Sequence, residues 1–312
     1  MSRKIVFQFP GQGSQAVGMG SALAMAFPAA RQVFDEVNDA LNLNLTKIMW
    51  EGSDSEISLT TNAQPALMAC GVAAFRVLSK LENKNLKQLA DFTCGHSLGE
   101  YTAMTVAQVF SLKECAVLLR LRGEAMQQAV PVGKGAMAAL IGITIDQIIE
   151  IIEKAQIHGI CDIGNDNADG QVVISGDIKA VKNAIEIGKN NGAKRAILLP
   201  VSAPFHCRLM KPARLIMEEA LNKLKFNAPL IPIVSNITAL SHEDPKTLRK
   251  NLIDQVTGTV RWRETMVFAK NQGVKKISEL GSGKVLTGIA KRMVKDISIE
   301  SYENPEDFNA FL

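Results

Sequence analysis

Gly95-His96-Ser97-Leu98-Gly99 sets a serine between two glycines at the spacing G-x-S-x-G. Phe92-Thr-Cys-Gly95 reads as a short strand and 100–106 as a helix, so the serine falls on a strand-to-helix turn. A turn that sharp strains the serine backbone and crowds its neighbours. Glycine two positions either side removes the Cβ atoms that would collide. The hydroxyl is then held at a helix N-terminus, where the helix dipole favours developing negative charge. The chemistry is nucleophilic attack by Ser97. It needs a base within hydrogen-bond reach and N–H donors for the oxyanion that forms.

Four histidines are available as the base. His96 lies on the turn and points by alternation away from Ser97. His158, at a helix-to-strand turn, and His242, in the polar stretch Ser-His-Glu-Asp, read as surface residues. His206 ends the connection Val201-Ser-Ala-Pro-Phe-His206, after a strand and before a helix, where α/β sites assemble. Residue type and placement favour His206, with His242 as the alternative. For the oxyanion, the Leu98 N–H lies at the helix start. A second donor must come from another loop at the same sheet edge, and Gly11-Gln12-Gly13 is short enough to present one. That loop also matches G-x-G-x-x-A through Ala16, with Asp35 and Glu36 about 20 residues on. A dinucleotide site would require a strand ending at that acid, whereas 31–41 reads as helix, so the match is rejected. Gly281-Ser-Gly-Lys284 is not a phosphate loop, because Val285 stands where Ser or Thr is needed.

Arg122 poses a separate question. On a helix starting at Ser111, the positions three, four and seven away from it are Cys115, Leu118, Leu119, Ala125, Met126 and Ala129. Arg122 is therefore mid-stripe on the apolar face, with no carboxylate at i±3 or i±4. Arg120 faces Lys113, Glu124 and Gln127 and reads as solvated. A buried arginine keeps its charge and must meet an anion. Either the fold supplies a carboxylate from elsewhere, or a substrate brings one to be held bidentately.

The elements that must position these residues form two patterns. The 312-residue chain, 47% apolar and 21% charged, has room for one large core and a satellite. Residues 4–9 read as a first strand, 19–43 and 62–81 as helices, with Asn62 as cap and Pro65 in the first turn of the second. The elbow strand and helices to 106 and over 111–129 follow, the cadence of an α/β fold with a mainly parallel sheet. After Pro131 the segments shorten. Strand 136–141, helix 145–155, strands 159–165 and 171–175 about an Asp169-Gly170 turn, helix 178–189 and strand 195–199 make βαββαβ, the ferredoxin-like unit. The expected division is thus a catalytic domain of 1–130 and 200–312 with an inserted subdomain of 131–199. The main domain resumes with strand 231–236, helices 245–256 and 262–272, strand 276–280 and a helix from 284.

The formal charge of +4 is too small to imply nucleic-acid binding and would suit an acidic protein partner. The chain's start lacks a signal-peptide h-region, and no apolar run approaches the ~18 residues of a membrane span. Cys70, Cys94, Cys115, Cys161 and Cys207 form no framework spacing and read as reduced thiols, so the expectation is a cytoplasmic protein.

Taken together, Phe9-Pro-Gly-Gln-Gly-Ser-Gln15, Gly95-His-Ser-Leu-Gly-Glu-Tyr101, Arg122-Gly123 and Ala203-Pro-Phe-His206 resemble the malonyl-CoA:acyl carrier protein transacylases, in family order over essentially the whole chain. The resemblance implies an α/β-hydrolase-like core with a ferredoxin-like insert. It implies transfer of malonyl from malonyl-CoA to the pantetheine thiol of acyl carrier protein through an ester on Ser97, in support of fatty acid biosynthesis. It assigns His206 as base, the N–H groups of Gln12 and Leu98 as the oxyanion hole, and Arg122 as the grip on the malonyl carboxylate. Phe205, Met126 and Gln64 go to the substrate side, and Gln255 orients the histidine through a backbone carbonyl in place of a third acid. No metal and no resident cofactor are implied, since the pantetheine belongs to the partner. Two other readings compete. A serine hydrolase on the same elbow predicts a third acid and an apolar acyl site. A non-catalytic carrier-binding scaffold would need none of Ser97, His206 and Arg122.

Overall fold

The structure is a computed structural model that describes residues 4–311. The first strand is β1 (Lys4–Phe9); residues 1–3 and 312, which the expected domain boundaries also included, lie outside the described residues. The helical pattern over 19–43 resolves into α1 (Ser21–Ala26) and α2 (Pro28–Leu41). Phe27 is extended between them, Pro28 opens the second at its N-terminus, and Asn42 closes it at φ 47°. Short helices α3 (Leu45–Glu51) and α4 (Asp54–Ser58) lead to α5 (Thr60–Glu82). Asn62 is not its cap: Leu59 is, and the Asn62 amide, inside the helix, donates back to the Glu56 carbonyl. Pro65 accordingly sits beyond the first turn. Then come α6 (Leu86–Leu89), β2 (Phe92–Gly95), α7 (Leu98–Val106) and α8 (Leu112–Gln128), the last opened by a Ser111–Glu114 capping box.

The middle of the chain runs β3 (Gly135–Ile141), α9 (Ile145–Ala155), β4 (Cys161–Ala168), β5 (Gln171–Asp177), α10 (Ile178–Asn190) and β6 (Arg195–Leu198). It folds as a separate antiparallel sheet in the order β4-β5-β3-β6. The remainder is α11 (Lys211–Lys223), β7 (Ile233–Val234), β8 (Ser241–His242), α12 (Pro245–Gln255), α13 (Trp262–Asn271), β9 (Val274–Leu280), α14 (Val285–Met293) and β10 (Ser298–Tyr302). These strands join β1 and β2 in a six-stranded sheet ordered β10-β9-β1-β2-β7-β8, parallel except where β8 returns against β7.

Alternation along β1 explains the layers. Phe7 and Phe9 enter the large core with α2, α5, α7 and α8, whereas Val6 joins Trp262, Met266, Leu286 and Ile289 from α13 and α14 on the opposite face. The second sheet buries its own aliphatic cluster against α9 and α10. Strand 231–236 is only two residues long, because the chain turns sharply at Ala239 (φ 54°) and takes Ser235 and Asn236 out of the ladder. The second sheet meets the rest of the molecule where β4 runs beside the segment before α13: the Asp166 N–H donates to the Val260 carbonyl and the Val260 N–H to the Gly164 carbonyl, each at 2.9 Å. An Arg263–Asp166 ion pair at 2.8 Å locks the junction.

Candidate active site

The elbow forms as its spelling requires. Ser97 has φ 54° and ψ −110°, a conformation that costs energy in a non-glycine residue. A Cβ on Gly95 would lie 2.0 Å from the Gly99 carbonyl group, and one on Gly99 would lie 2.3 Å from the Phe9 oxygen. The second contact also brings the loop after β1 against the turn. A Cβ on Gly11 would strike His96 at 2.8 Å, so the Gly11-Gln12 backbone rides directly on the elbow. The Gln12 side chain is held by a 2.9 Å hydrogen bond from Thr60.

His206 meets Ser97. Its Nε2 lies 2.7 Å from Ser97 Oγ, and its Nδ1 lies 2.8 Å from the Gln255 backbone oxygen. A carbonyl can only accept, so Nδ1 carries the proton and Nε2 is left to accept from the serine. His206 is buried and, like Ser97, has a left-handed backbone, φ 59°. Burial first, and the Arg122 cation second, hold its pKa down at about 3, so the ring is neutral. The other histidines are elsewhere. His96 points away, 2.9 Å from Asn167 Oδ1 and against Trp262. His242, the alternative base, is paired in β8 and bonded to Thr238 at 2.8 Å.

Arg122 is 1% exposed, and its guanidinium stands over the Tyr101 ring at 5.4 Å. It donates to Gln64 Oε1 at 2.7 Å, Gln255 Oε1 at 2.9 Å and Ser97 Oγ at 3.1 Å. All three acceptors are neutral. No carboxylate forms an ion pair with it among the described residues. Gln64 also reaches Met126, its amide 3.9 Å from the sulfur, which gathers Gln64, Met126 and Arg122 on one wall. Phe205 is buried in the large core beside His206. Arg120, expected in solvent, is half-buried: it grips Glu124 at 2.7 Å and Asn62 Oδ1 at 2.8 Å.

Two residues at the centre are given no role by the sequence reading. Asn236 accepts the Ser97 N–H at 2.7 Å and donates to the Gly95 carbonyl at 2.7 Å, clamping the turn from across the sheet. The Ser97, Gly99 and Glu100 N–H groups are all occupied, whereas the Leu98 N–H has no hydrogen-bond partner among the described residues. Glu100, in the first turn of α7, is wholly buried and bonded to the Gln255 amide at 2.8 Å. Its only trace in the sequence is an acid inside an otherwise apolar helix.

The competing motifs resolve structurally. Asp35 and Glu36 lie on α2 in ion pairs with Arg31 and Arg76 at 3.1 Å. At Gly281–Lys284, Glu303 takes the Gly283 N–H at 2.8 Å, and Glu279 takes those of Leu286 and Thr287 at 3.2 and 2.6 Å, which leaves no cradle for phosphate. No helix among the described residues is long and apolar enough to cross a membrane.

Sequence and fold both match known proteins. Residues 6–302 match the model of the acyl transferase domain. A malonyl CoA-acyl carrier protein transacylase of Bacillus subtilis is 40% identical over 97% of this chain and 94% of its own length. The crystal structure of an acyl-carrier-protein-S-malonyltransferase from Bartonella henselae superposes with a TM-score of 0.96 at 49% identity, covering 98% of each chain. A type II PKS acyl-carrier protein in complex with its malonyl-transacylase matches with a TM-score of 0.95 at 38% identity, covering 99% of each chain. With the serine, histidine and arginine of the resemblance converging in one buried site, the chain belongs to the acyl transferase domain family and, within it, to the malonyl-CoA:acyl carrier protein transacylases.

Proposed function

We propose that this chain moves malonyl from malonyl-CoA to the pantetheine thiol of acyl carrier protein, in two half-reactions through an ester on Ser97. One observation carries the reading. Arg122 is a buried cation served only by neutral acceptors, with Nη2 3.1 Å from Ser97 Oγ. A substrate carboxylate completes that arrangement, which a lipase-like apolar acyl site does not.

In the first half-reaction Ser97 Oγ bonds to the thioester carbon, and its proton passes to His206 Nε2. The carbon–sulfur bond then breaks, and the proton leaves with coenzyme A as its thiol. The carrier thiol reverses these steps. His206 contributes proton transfer worth ~10²–10⁴-fold, held in the required tautomer by the Gln255 carbonyl. The N–H groups of Gln12 and Leu98 stabilise the tetrahedral oxyanion, each donor worth ~3–4 kcal/mol. Phe205, Met126 and Gln64 line the acyl side. The malonyl carboxylate also neutralises Arg122, which removes the second cause of the low His206 pKa and makes the ring a stronger base when malonyl is seated. Acetyl-CoA leaves the guanidinium unpaired and the base weak.

The same reading covers the architecture: an α/β-hydrolase-like core of 1–130 and 200–312 carrying a ferredoxin-like insert at 131–199. It places the enzyme in the cytoplasm, supplying fatty acid biosynthesis, with no resident cofactor.

Intact-protein mass spectrometry tests this. Malonyl-CoA adds one malonyl group to the wild type and none to Ser97→Ala; acyl carrier protein discharges it, and acetyl-CoA adds little. Free malonate released without carrier-dependent discharge makes the chain a hydrolase.

A further inference from the structure

Glu100 and Arg122 are two buried opposite charges that do not touch. Glu100 is 0% exposed and Arg122 1%. Between them stands the Gln255 amide, its Oε1 2.9 Å from Arg122 Nη2 and its Nε2 2.8 Å from Glu100 Oε2. The same Nε2 lies 2.9 Å from the Ser97 carbonyl, and the Asn236 N–H reaches Glu100 Oε2 at 3.2 Å. An amide so placed can point only one way, carbonyl to the cation and NH₂ to the anion. A direct ion pair would occupy the guanidinium. The relay balances its charge and leaves the guanidinium free for a ligand.

We infer that Glu100, acting through Gln255, is the counter-charge that positions Arg122 in the empty site, and that Glu100 takes up a proton when the malonyl carboxylate arrives. This rests on the reading of Arg122 given above. Two carboxylates facing one guanidinium would leave an uncompensated negative charge in a dry interior, which is costly. Protonation of Glu100 removes it. The geometry provides for this, since Glu100 Oε1 and Ser235 Oγ are both buried and neither has a hydrogen-bond partner among the described residues. Ser235 lies beside the carboxyl and can donate to the carboxylate or accept from the acid.

The charged and titratable groups acting on Glu100 are Arg122 from α8, Cys94 from β2 and Tyr101 of its own helix. From α12 and the segment after β7 it meets only Gln255, Asn236 and Ser235. Among the described residues, β1 and α5, which also pack on α7, bring no charged group to it. Cys94 is held far up by burial and stays a thiol, and Tyr101, pushed up to about 12, stays a phenol. Burial pushes Glu100 up to about 7, against the opposing pull of its hydrogen bonds and of Arg122, so the carboxyl is poised near neutrality.

The test is proton uptake. Wild-type enzyme is mixed with malonyl-CoA near neutral pH in weakly buffered solution with a pH indicator, without carrier protein, and the ester is counted by mass spectrometry. Ester formation with release of coenzyme A as thiol is proton-neutral, so any uptake comes from the protein. Several tenths of a proton per ester are expected at neutral pH, more on its alkaline side, and none by about pH 5, where Glu100 already carries its proton. Malonyl loading then weakens by at most tenfold per pH unit above the midpoint. Glu100→Gln, loaded more slowly with excess malonyl-CoA, takes up none. Ester without uptake in the wild type, or uptake retained in Glu100→Gln, overturns the inference alone. Absence of any ester overturns the reading of the site and this inference with it. Should Glu100→Gln fail to fold, the wild-type pH dependence decides.

Discussion

The two sheets of this molecule are built to opposite rules. Where β3–β6 pack on α9 and α10 the buried cluster is apolar, with Ala138, Leu140, Ile148, Ile151, Ile174 and Val181 at its centre, and Asp166, the buried acid on the edge strand β4, is paired directly with Arg263. At the ends of β1, β2 and β7 the interior holds Glu100, Arg122, His206, Asn236 and Gln255, all under 5% exposed, with Ser97 and His206 both in left-handed backbone. Burying ions without direct pairing costs several kcal/mol. The first region is organised for stability. The second carries strain and desolvated charge that only a reaction explains.

That contrast makes separable predictions, and the largest effect is expected at Ser97, the proposed nucleophile. Ser97→Ala should lower malonyl transfer by ~10⁴-fold or more while thermal unfolding moves by no more than about 1 kcal/mol. A large stability loss would make the strained turn structural and break the division. Arg122→Ala should lower malonyl transfer by ~10²–10³-fold and spare or raise acetyl loading, scored as kcat/KM for each donor. Equal losses would remove its carboxylate role.

In the aliphatic sheet the sign reverses. Ile174→Ala, at a position 0% exposed, should cost about 2–5 kcal/mol in denaturant titration, with activity per folded molecule nearly unchanged.

A subtler effect appears in stability against pH. His206 is depressed from 6.5 to about 3, so the unfolded state binds its proton first and stability falls as pH drops below about 6.5. Glu100 is raised from 4.5 to about 7, so the folded state binds its proton first and stability rises as pH drops from about 7 to 4.5. The two slopes offset between about pH 4.5 and 6.5. Glu100→Gln should uncover the histidine slope, up to about 1.4 kcal/mol per pH unit. The smallest effect is expected at Asp35→Ala, on an exposed i,i+4 pair with Arg31: about 0.5 kcal/mol or less, and no change in transfer.

How far these regions were legible follows from the range of their causes. Along 131–199, strand and helix periods mark nearly every element, and within the helical pattern over 19–43 the break at Phe27-Pro28 is a local proline effect. β10 was missed because an edge strand with the alternating pattern Ser-Ile-Glu-Ser-Tyr gives little apolar signal. The mistaken Asn62 cap has a similar source. A capping residue type was present, but Leu59 and a side-chain bond to Glu56 decide where the helix begins.

Local chemistry is written in neighbouring residues. Gly95 and Gly99 announce the elbow because their close approaches are to atoms a few positions away, or to the strand beside them. Arg122 announces itself because a charge in the middle of an apolar stripe is an anomaly on any helix. Pairings between residues far apart in the chain, 49 positions for His206 and Gln255 and more than a hundred for the others, carry no such mark. That His206 rather than His242 meets Ser97, that Asn236 clamps the turn, and that Gln255 offers its backbone to the histidine and its side chain to Arg122 and Glu100 were settled by the crossing of β1, β2, β7 and α12. The sequence by itself determined which groups could react. Only the tertiary structure decided which of them touch, because hydrogen bonds and desolvation act over a few ångströms of space and not along the chain.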